Sequence, residues 1–170
     1  RQVASLVERT IIRHVDHTFV VSDSIANWYR DHYQISNISV VLNCPHFKNV
    51  PPNNHLREEF NIHSKCKVFL YQGDLSLGRG IELCLETFSS LQDENCVLVF
   101  MGSGVLEKKI KHFQELYSNI FYKAPVCPSE VLEYTSSADI GLCLIEPVSL
   151  SYNYSLPNKF FEYSMSSLPI

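Results

Sequence analysis

Near the C-terminal end of the sequence, a cation and a carboxylate stand at the start of a predicted helix. Residues 156–165 read Leu-Pro-Asn-Lys-Phe-Phe-Glu-Tyr-Ser-Met, with Lys159 and Glu162 three positions apart. The first N–H groups of a helix have no partner within the helix and carry partial positive charge, so they favour phosphate groups. Glu162 lies one turn into the helix, where its carboxylate can accept hydrogen bonds from sugar hydroxyls. The segment therefore predicts a nucleotide-sugar site.

A structural interpretation of the same helix is also open. Residues three apart on a helix are neighbours, so Lys159 and Glu162 could form a surface ion pair of little energetic weight. Against this stands the preceding segment, residues 146–156, which is rich in Ser, Tyr and Asn. A loop of this length between a strand and a helix is more often functional than a short one, which favours the binding interpretation.

Two glycine-containing segments follow predicted strands. Residues 73–80 read Gly-Asp-Leu-Ser-Leu-Gly-Arg-Gly, in which glycines let the backbone approach a ligand and Arg79 can reach phosphate oxygens. An ordinary strand-to-helix turn with a solvated Arg79 explains this loop equally well. The second segment, Gly102-Ser103-Gly104, lacks the third glycine of the dinucleotide-binding fingerprint, so it is weak evidence for NAD or FAD.

Another predicted helix begins within residues 124–132, with Pro128 or Ser129 in its first turn. The loop before it, around Val126 and Cys127, could offer backbone groups to the edge of a nucleobase. On local sequence alone, a simple strand-to-helix connection is the favoured explanation.

Strands and helices alternate along the chain and must position these loops. Helical spacing of apolar residues follows Gly80 and recurs between Val105 and Leu116. Short β-rich runs, most of them continuously apolar, occur at residues 17–22, 38–42, 67–72, 97–101, 119–122 and 139–145. This alternation predicts an α/β fold with a doubly wound, parallel, Rossmann-like sheet, whose ligand loops gather at the carboxyl ends of the strands.

A domain boundary is predicted where Pro and Asn accumulate, between residues 43 and 54, because these residues cannot continue a strand or helix for long. We expect residues 1–47 to be the tail of an N-terminal domain with its linker. Residues 48–170 then form a second domain, which stops at the apolar strand start Leu168-Pro169-Ile170. The chain is therefore expected to be truncated at both ends.

Composition argues against several classes of function. With 14 basic and 18 acidic residues in 170, the chain has no basic stripe for nucleic acid. No apolar run approaches the roughly 20 residues needed to cross a bilayer. The six cysteines contain no Cys-X-X-Cys pair, and no Asp-X-Asp occurs, so we expect neither a zinc site nor a metal that bridges a diphosphate.

The order of these features resembles the C-terminal, donor-binding part of a family-four glycosyltransferase of the GT-B fold. Residues 17–24, His-Thr-Phe-Val-Val-Ser-Asp-Ser, look like the last strand-helix unit of the acceptor-binding domain. Residues 73–80 look like the family's glycine loop, and residues 134–142, Tyr-Thr-Ser-Ser-Ala-Asp-Ile-Gly-Leu, are similar to the helix and strand before the donor loop. Residues 156–163 match the donor helix best. The resemblance covers nearly the whole chain.

By this resemblance, Arg79 and Glu162 would be the catalytic residues: Arg79 would neutralise the donor diphosphate, and Glu162 would bind the ribose hydroxyls as the second acid of a paired-glutamate motif. The first acid should stand eight positions earlier, where this chain has Tyr154. The family often has a basic residue directly after the loop glycine, where this chain has Asp74. The resemblance implies a set of donor-binding residues in the glycine loops, the base loop and the donor helix: Gly73, Gly102, Val126, Cys127, Tyr154, Ser155, Leu156, Pro157, Asn158 and Lys159.

The resemblance implies a retaining glycosyltransferase of the hexosyltransferase type, active in polysaccharide biosynthesis. It would transfer sugar from a nucleotide-diphosphate sugar to a glycan or lipid-linked acceptor, with no metal or other cofactor, while Arg79 and helix amides stabilise the departing diphosphate. The acceptor would bind to an N-terminal domain that is largely absent here, so the fragment alone should be inactive. The expected location is the cytoplasm, with peripheral contact to the inner face of the membrane left open. Two alternatives are a sugar-nucleotide epimerase of the same fold and a catalytically silent nucleotide-binding module.

Overall fold

The computed structural model describes residues 2–91 and 95–170 and shows an α/β fold with two parallel sheets. The smaller sheet pairs β1 with β2 and has its own small core around Val20, Ala26 and Ile38. The elements of this part are α1 (Gln2–Ile11), a 3-10 helix (Ile12–His14), β1 (Thr18–Val20), α2 (Asp23–Tyr33) and β2 (Ile38–Val40).

The larger sheet has four parallel strands in the order β5-β4-β3-β6. Its elements are α3 (His55–Phe60), β3 (Lys67–Asp74), α4 (Ile81–Ser90), β4 (Cys96–Ser103), α5 (Glu107–Leu116), β5 (Ile120–Lys123), α6 (Val131–Thr135), β6 (Ile140–Gly141), α7 (Leu150–Asn153) and α8 (Asn158–Met165). The chain moves from β3 outward to β5 and then returns to place β6 on the other side of β3. Ligands of open α/β sheets bind at such a reversal of strand order, beyond the carboxyl ends of the strands.

The larger sheet is buried on both faces, as a doubly wound fold requires. On one face, Tyr71 and Phe100 pack with the apolar residues of α4 and α5. On the other face, Leu70 and Val99 pack with Leu56 and Tyr163. The predicted Rossmann-like, parallel sheet is therefore confirmed, because side chains of successive strand residues enter opposite cores.

Helix α8 is fixed to the sheet by Tyr163, which is fully buried. Its hydroxyl donates to the Leu70 carbonyl (3.0 Å) and accepts from the Gln72 N–H (3.1 Å). The Tyr163 ring lies directly over Gly141, so close that a Cβ at this position would collide with it. These contacts hold α8 against β3 near the carboxyl end of that strand.

Some predicted boundaries were wrong. The strand expected at residues 139–145 is reduced to Ile140–Gly141. This strand is at the edge of the sheet, and the chain beyond it turns back so that the Glu146 N–H can donate to the Gly78 carbonyl (3.0 Å). Helix α6 begins at Val131 and not at Pro128 or Ser129, because a turn from Cys127 to Glu130 precedes it.

Two irregular segments also differ in character. Residues 146–156, expected to be a loop, contain the short helix α7, which is capped where the Ser149 Oγ accepts from the Tyr152 N–H (3.3 Å). Residues 41–54 form neither helix nor strand. Even so, Asn53 within this segment donates to the Glu133 carbonyl and to Ser136 Oγ, both at 2.8 Å, so the predicted linker is attached to α6.

Candidate functional site

A cavity of about 420 Å³ lies at the carboxyl ends of β3 and β4, beside the start of α8. This is the end of the sheet where strand order reverses, so the fold itself places the cavity where ligands of this architecture bind. Its lining comes from both strands, the glycine loop, the segment before α6 and the first turn of α8: Asn43, Gln72, Gly73, Asp74, Arg79, Met101, Pro125, Val126, Val131, Leu156, Pro157, Asn158, Lys159 and Glu162.

Arg79 is held at one side of this cavity with unused hydrogen-bonding capacity. Its guanidinium carbon lies 4.7 Å from the centre of the Tyr152 ring, and its Nε lies 3.9 Å from Asp74 Oδ2. The Nε is buried and has no hydrogen-bond partner within residues 2–91 and 95–170. A ring contact and a long ion pair position the guanidinium, while its donors stay available to an anion.

Lys159 is a second cation of the cavity, and it is 7% exposed. Its ammonium lies 3.5 Å from the centre of the Tyr71 ring, and no described residue accepts a hydrogen bond from Nζ. Burial lowers the pKa of Lys159 to about 8, and the neighbouring positive charge of Arg79 acts in the same direction. The interpretation of Lys159 as a surface partner of Glu162 is therefore wrong.

Glu162 is oriented by a chain of buried polar groups. Gln72 Nε2 donates to Glu162 Oε2 (2.6 Å), and Thr135 Oγ1 donates to Gln72 Oε1 (2.7 Å). Gln72 is 2% exposed, and Thr135 is fully buried. The carboxylate is thus fixed through one oxygen and retains acceptor capacity for the hydroxyls of a ligand.

The glycine loop that carries Arg79 is fastened by the segment before α7. The Gly80 N–H donates to Glu146 Oε1 (3.1 Å), and the Glu146 N–H donates to the Gly78 carbonyl (3.0 Å). Gly78 and Gly80 have positive φ angles of 75° and 72°, which glycine adopts without strain. The loop therefore has a defined path, and Arg79 is presented from a fixed backbone.

No protein-family model matches the sequence, and no curated protein matches it significantly. Solved structures do match. HepE of Anabaena, solved with UDP and glucose, has a TM-score of 0.73 and 10% identity, over 97% of this chain and 46% of HepE. A mutant of S. aureus TarM, solved with fondaparinux, α-GlcNAc-glycerol and UDP, has a TM-score of 0.70 and 15% identity, over 95% of this chain and 30% of TarM. Sucrose-phosphate synthase of Thermosynechococcus elongatus has a TM-score of 0.68 and 17% identity, over 88% of this chain and 40% of the synthase.

The chain has the GT-B fold of these glycosyltransferases. It spans less than half of the length of each of the three proteins. At identities of 10–17%, the likeness establishes the GT-B fold, which was predicted from the sequence, and leaves the activity to be argued from the site.

Most residues that the GT-B resemblance marked as donor-binding do meet in one place. The cavity brings together both predicted catalytic residues, the first loop glycine, one residue of the base loop and the start of the donor helix: Arg79, Glu162, Gly73, Val126, Leu156, Pro157, Asn158 and Lys159.

Gly102 and Cys127 lie outside this lining. Gly102 packs against the Gly73 carbonyl, so a side chain here would collide with the neighbouring strand. Glycine is required at this position because β4 is paired with β3, with Gly102 opposite Gly73. The Cys127 N–H donates to Glu130 Oε2 (3.2 Å), so the backbone group that was expected to meet a base is already used within its own turn.

Tyr154 and Ser155 also lie outside the lining. The Ser155 hydroxyl donates to the Tyr152 carbonyl (2.8 Å) at the end of α7. Tyr154, at the position of the first acid, lines a separate concavity next to Trp28, and its carbonyl is 3.5 Å from Ser22 Oγ of the N-terminal part. The unexpected helix α7 redirects both residues away from the cavity.

Sequence reasoning missed several residues of the cavity. The most important is Gln72, a polar residue that ends the apolar run of β3 immediately before Gly73, and this position was the signal that could have found it. Met101, Pro125 and Val131 join Val126 in an apolar wall, which suits a flat aromatic ligand such as a nucleobase.

The described residues contain neither a group of metal ligands nor a helix that could span a membrane. Within residues 2–91 and 95–170, no three His, Cys, Asp or Glu side chains are grouped so that they could hold a metal ion. In the same part of the chain, no helix has the length and apolar character required to cross a membrane.

Proposed function

We propose that this chain binds the donor of a glycosyltransferase, a nucleotide-diphosphate sugar, in the cavity at the start of α8. The observation that carries the proposal is the pair of cations, Arg79 and Lys159, whose buried donor atoms have no acceptor within the described residues. An unsatisfied buried donor is costly, and a buried charge without a partner more so. An anionic ligand that accepts from both groups removes this cost.

The diphosphate is assigned to the end of the cavity where these cations meet α8. The residue before the helix is Pro157, which has no side-chain acceptor to cap the first turn. The N–H groups at this helix start, with their partial positive charge, can therefore serve phosphate oxygens together with Arg79 and Lys159. Gly73, with nothing near the place of a Cβ, lets a phosphate approach the end of β3.

The nucleoside is assigned to the remainder of the lining. Glu162, fixed by Gln72, accepts hydrogen bonds from the ribose hydroxyls, and the apolar wall around Val126 contacts the base. Two similar structures contain UDP, one with glucose and the other with α-GlcNAc-glycerol, which supports a nucleotide sugar as the ligand of this fold.

The reaction we propose is hexosyl transfer with retention of configuration, to a glycan or lipid-linked acceptor held by the remainder of the protein. As the bond between sugar and diphosphate breaks, negative charge grows on the departing diphosphate. In this proposal, Arg79, Lys159 and the α8 amides stabilise this charge, and no metal ion is required. We propose a role in polysaccharide biosynthesis and a location in the cytoplasm.

One observation favours a second candidate, a nucleotide-binding module without catalysis. Tyr154 replaces the first acid of the paired-glutamate motif and lies outside the cavity, so this position contributes no carboxylate to the transferred sugar. The two candidates share the binding step and differ in turnover. A longer protein that contains this chain should release nucleoside diphosphate in the presence of acceptor if it is a transferase, and should not if it is a silent module.

Calorimetric titration tests the binding step with the 170-residue chain. The panel contains UDP-glucose, GDP-mannose and ADP-glucose, with uridine, guanosine and adenosine as ligands that lack phosphate. We expect at least one nucleotide sugar to bind, and to bind more tightly than its nucleoside. If every nucleotide sugar binds no better than its nucleoside, the assignment of the diphosphate to Arg79 and Lys159 is wrong.

A further inference from the structure

The ammonium of Lys159 has an environment that is unusual for a lysine. The residue lies on the first turn of α8, is 7% exposed, and projects over the Tyr71 ring of β3. Nζ has no hydrogen-bond acceptor within the described residues. A ring face offers a cation some stabilisation, but it does not replace the hydrogen bonds that an ammonium makes to water.

The groups that face Lys159 from the surrounding elements offer little negative charge. Burial raises the pKa of the Tyr71 phenol, of the Cys84 thiol (to about 11) and of the Cys143 thiol, so all three are neutral near pH 8. The Asp74 carboxylate favours the charged form of Lys159, but it lies 3.9 Å from Arg79, whose positive charge disfavours that form.

From this geometry we propose that Lys159 takes up a proton from solvent when a nucleotide-diphosphate sugar occupies the cavity. In the ligand-free chain the amine is neutral in a fraction of molecules, because the charged form has no acceptor. The diphosphate supplies both acceptor oxygens and negative charge, which favour the ammonium. This inference rests on the proposed function and adds to it a proton that is bound together with the donor.

Protonation of Lys159 on binding should depend on the phosphates of the ligand. A nucleoside that fills the ribose and base regions does not bring the anion, so it should bind without proton uptake. The affinity for a nucleotide sugar should be constant well below pH 8, where Lys159 is already charged, and should fall as the pH rises above 8. Proton uptake therefore separates diphosphate recognition from nucleoside recognition.

The test is calorimetry at pH 8 in HEPES and in Tris, two buffers with different ionisation enthalpies. The ligand is whichever of UDP-glucose, GDP-mannose and ADP-glucose binds most tightly. A nucleotide sugar is used because its diphosphate has no ionisation near this pH. The dependence of the observed enthalpy on the buffer gives the number of protons taken up. We expect about half a proton per ligand at pH 8 and about a tenth at pH 7, and we expect none for the corresponding nucleoside.

Variants assign the proton to Lys159. Lys159→Met should bind more weakly and take up no proton, and Lys159→Arg, which stays charged, should bind without uptake. Lys109→Met is the matched control, because Lys109 is exposed and pairs with Glu82 on the surface, and its uptake should equal that of the unmodified chain. Uptake that persists in Lys159→Met, or nucleotide-sugar binding with no uptake in the unmodified chain, overturns this inference and leaves the proposed function standing. If no nucleotide sugar binds, the proposed function fails and this inference fails with it.

Discussion

The cations at the two ends of the larger sheet differ in whether the chain supplies hydrogen-bond acceptors for their nitrogens. At the amino end, Arg57 Nη2 lies 2.5 Å from Asp139 Oδ2, and Arg57 Nη1 donates to the Cys66 carbonyl (2.9 Å). Asp139 also accepts from the Val68 N–H (2.7 Å), so it ties α3, β3 and the start of β6 together. At the carboxyl end, Arg79 and Lys159 contact aromatic rings, and their buried nitrogens lack acceptors within the described residues.

This difference separates the two purposes of a buried charge. A cation whose donors are satisfied within the chain stabilises the fold and has nothing to offer a ligand. A cation that is positioned by ring contacts but has no acceptor destabilises the ligand-free fold. An anion that binds to the cation removes this destabilisation. We therefore propose that the amino end serves stability and the carboxyl end serves binding.

The largest expected effect is on stability at the amino end. Asp139→Ala leaves Arg57 and the Val68 N–H without their acceptor, and we expect it to lower the free energy of unfolding by about 2–4 kcal/mol. Urea denaturation measures the change. Glu82→Ala, which removes an exposed ion pair with Lys109, is the control and should change stability by less than about 1 kcal/mol. Equal losses in the two variants would mean that the Arg57–Asp139 pair stabilises the fold no more than an exposed ion pair does.

At the carboxyl end, Arg79→Ala should affect binding and not folding. We expect the Kd for a nucleoside diphosphate to rise about 10-fold to 100-fold, since a charge-assisted contact contributes about 1.5–3 kcal/mol. The Kd for the nucleoside should change much less, and the stability in urea denaturation should be unchanged or slightly higher. Arg30→Ala, on the exposed surface of α2, is the control for binding. Equal losses for diphosphate and nucleoside would assign Arg79 to another role.

The cost of Lys159 should be visible in the pH dependence of stability. Its pKa is lowered to about 8 in the folded chain and is about 10.4 in an unfolded chain. Between these values the unfolded state binds more protons, so the stability contributed by this residue rises with pH. We expect the stability of the unmodified chain, relative to Lys159→Met, to increase by about 1–2 kcal/mol from pH 8 to pH 10. A constant or falling difference in urea denaturation would mean that Lys159 is satisfied in the ligand-free chain.

The smallest expected effect is that of Gln72, which orients Glu162 and is not assigned any contact with the diphosphate. Gln72→Leu should weaken binding of a ribonucleoside diphosphate about fivefold, the equivalent of about 1 kcal/mol for one hydrogen bond. Binding of inorganic pyrophosphate should be unchanged, and so should binding of the 2′,3′-dideoxynucleoside diphosphate. If the variant still prefers the ribose form to the same degree, Glu162 is oriented without Gln72.

The residues that meet at the carboxyl end of the larger sheet were predicted from the sequence more accurately than the bounds of the helices and loops. Apolar runs and the alternation of strands and helices were enough to predict the parallel sheet. Arg79 and Glu162 were selected by their chemical type together with the GT-B resemblance. These features are local, because strand periodicity and side-chain chemistry belong to neighbouring residues. The convergence of Arg79 and Glu162 followed from the rule that ligand loops gather at the carboxyl ends of parallel strands.

Features that depend on distant residues were beyond this reasoning. The burial of Lys159 depends on Tyr71, which is far away in sequence, and the role of Gln72 depends on both Thr135 and Glu162. Gly102 was assigned to the donor by the GT-B resemblance, and its contact with the Gly73 carbonyl on the neighbouring strand could not be read from the sequence. Each case requires knowledge of which elements pack together.

The most direct test of the account is an NMR titration of the ¹⁵N-labelled chain with UDP, GDP and ADP in turn. We expect a nucleoside diphosphate to shift the backbone amide signals of Gly73, Asn158 and Lys159 and the Nε–H signal of Arg79. The Nε–H signal of Arg57, at the opposite end of the sheet, should stay in place. Shifts confined to other surfaces, or equally large at both ends of the sheet, would contradict the claim that the carboxyl end is a nucleotide-diphosphate site.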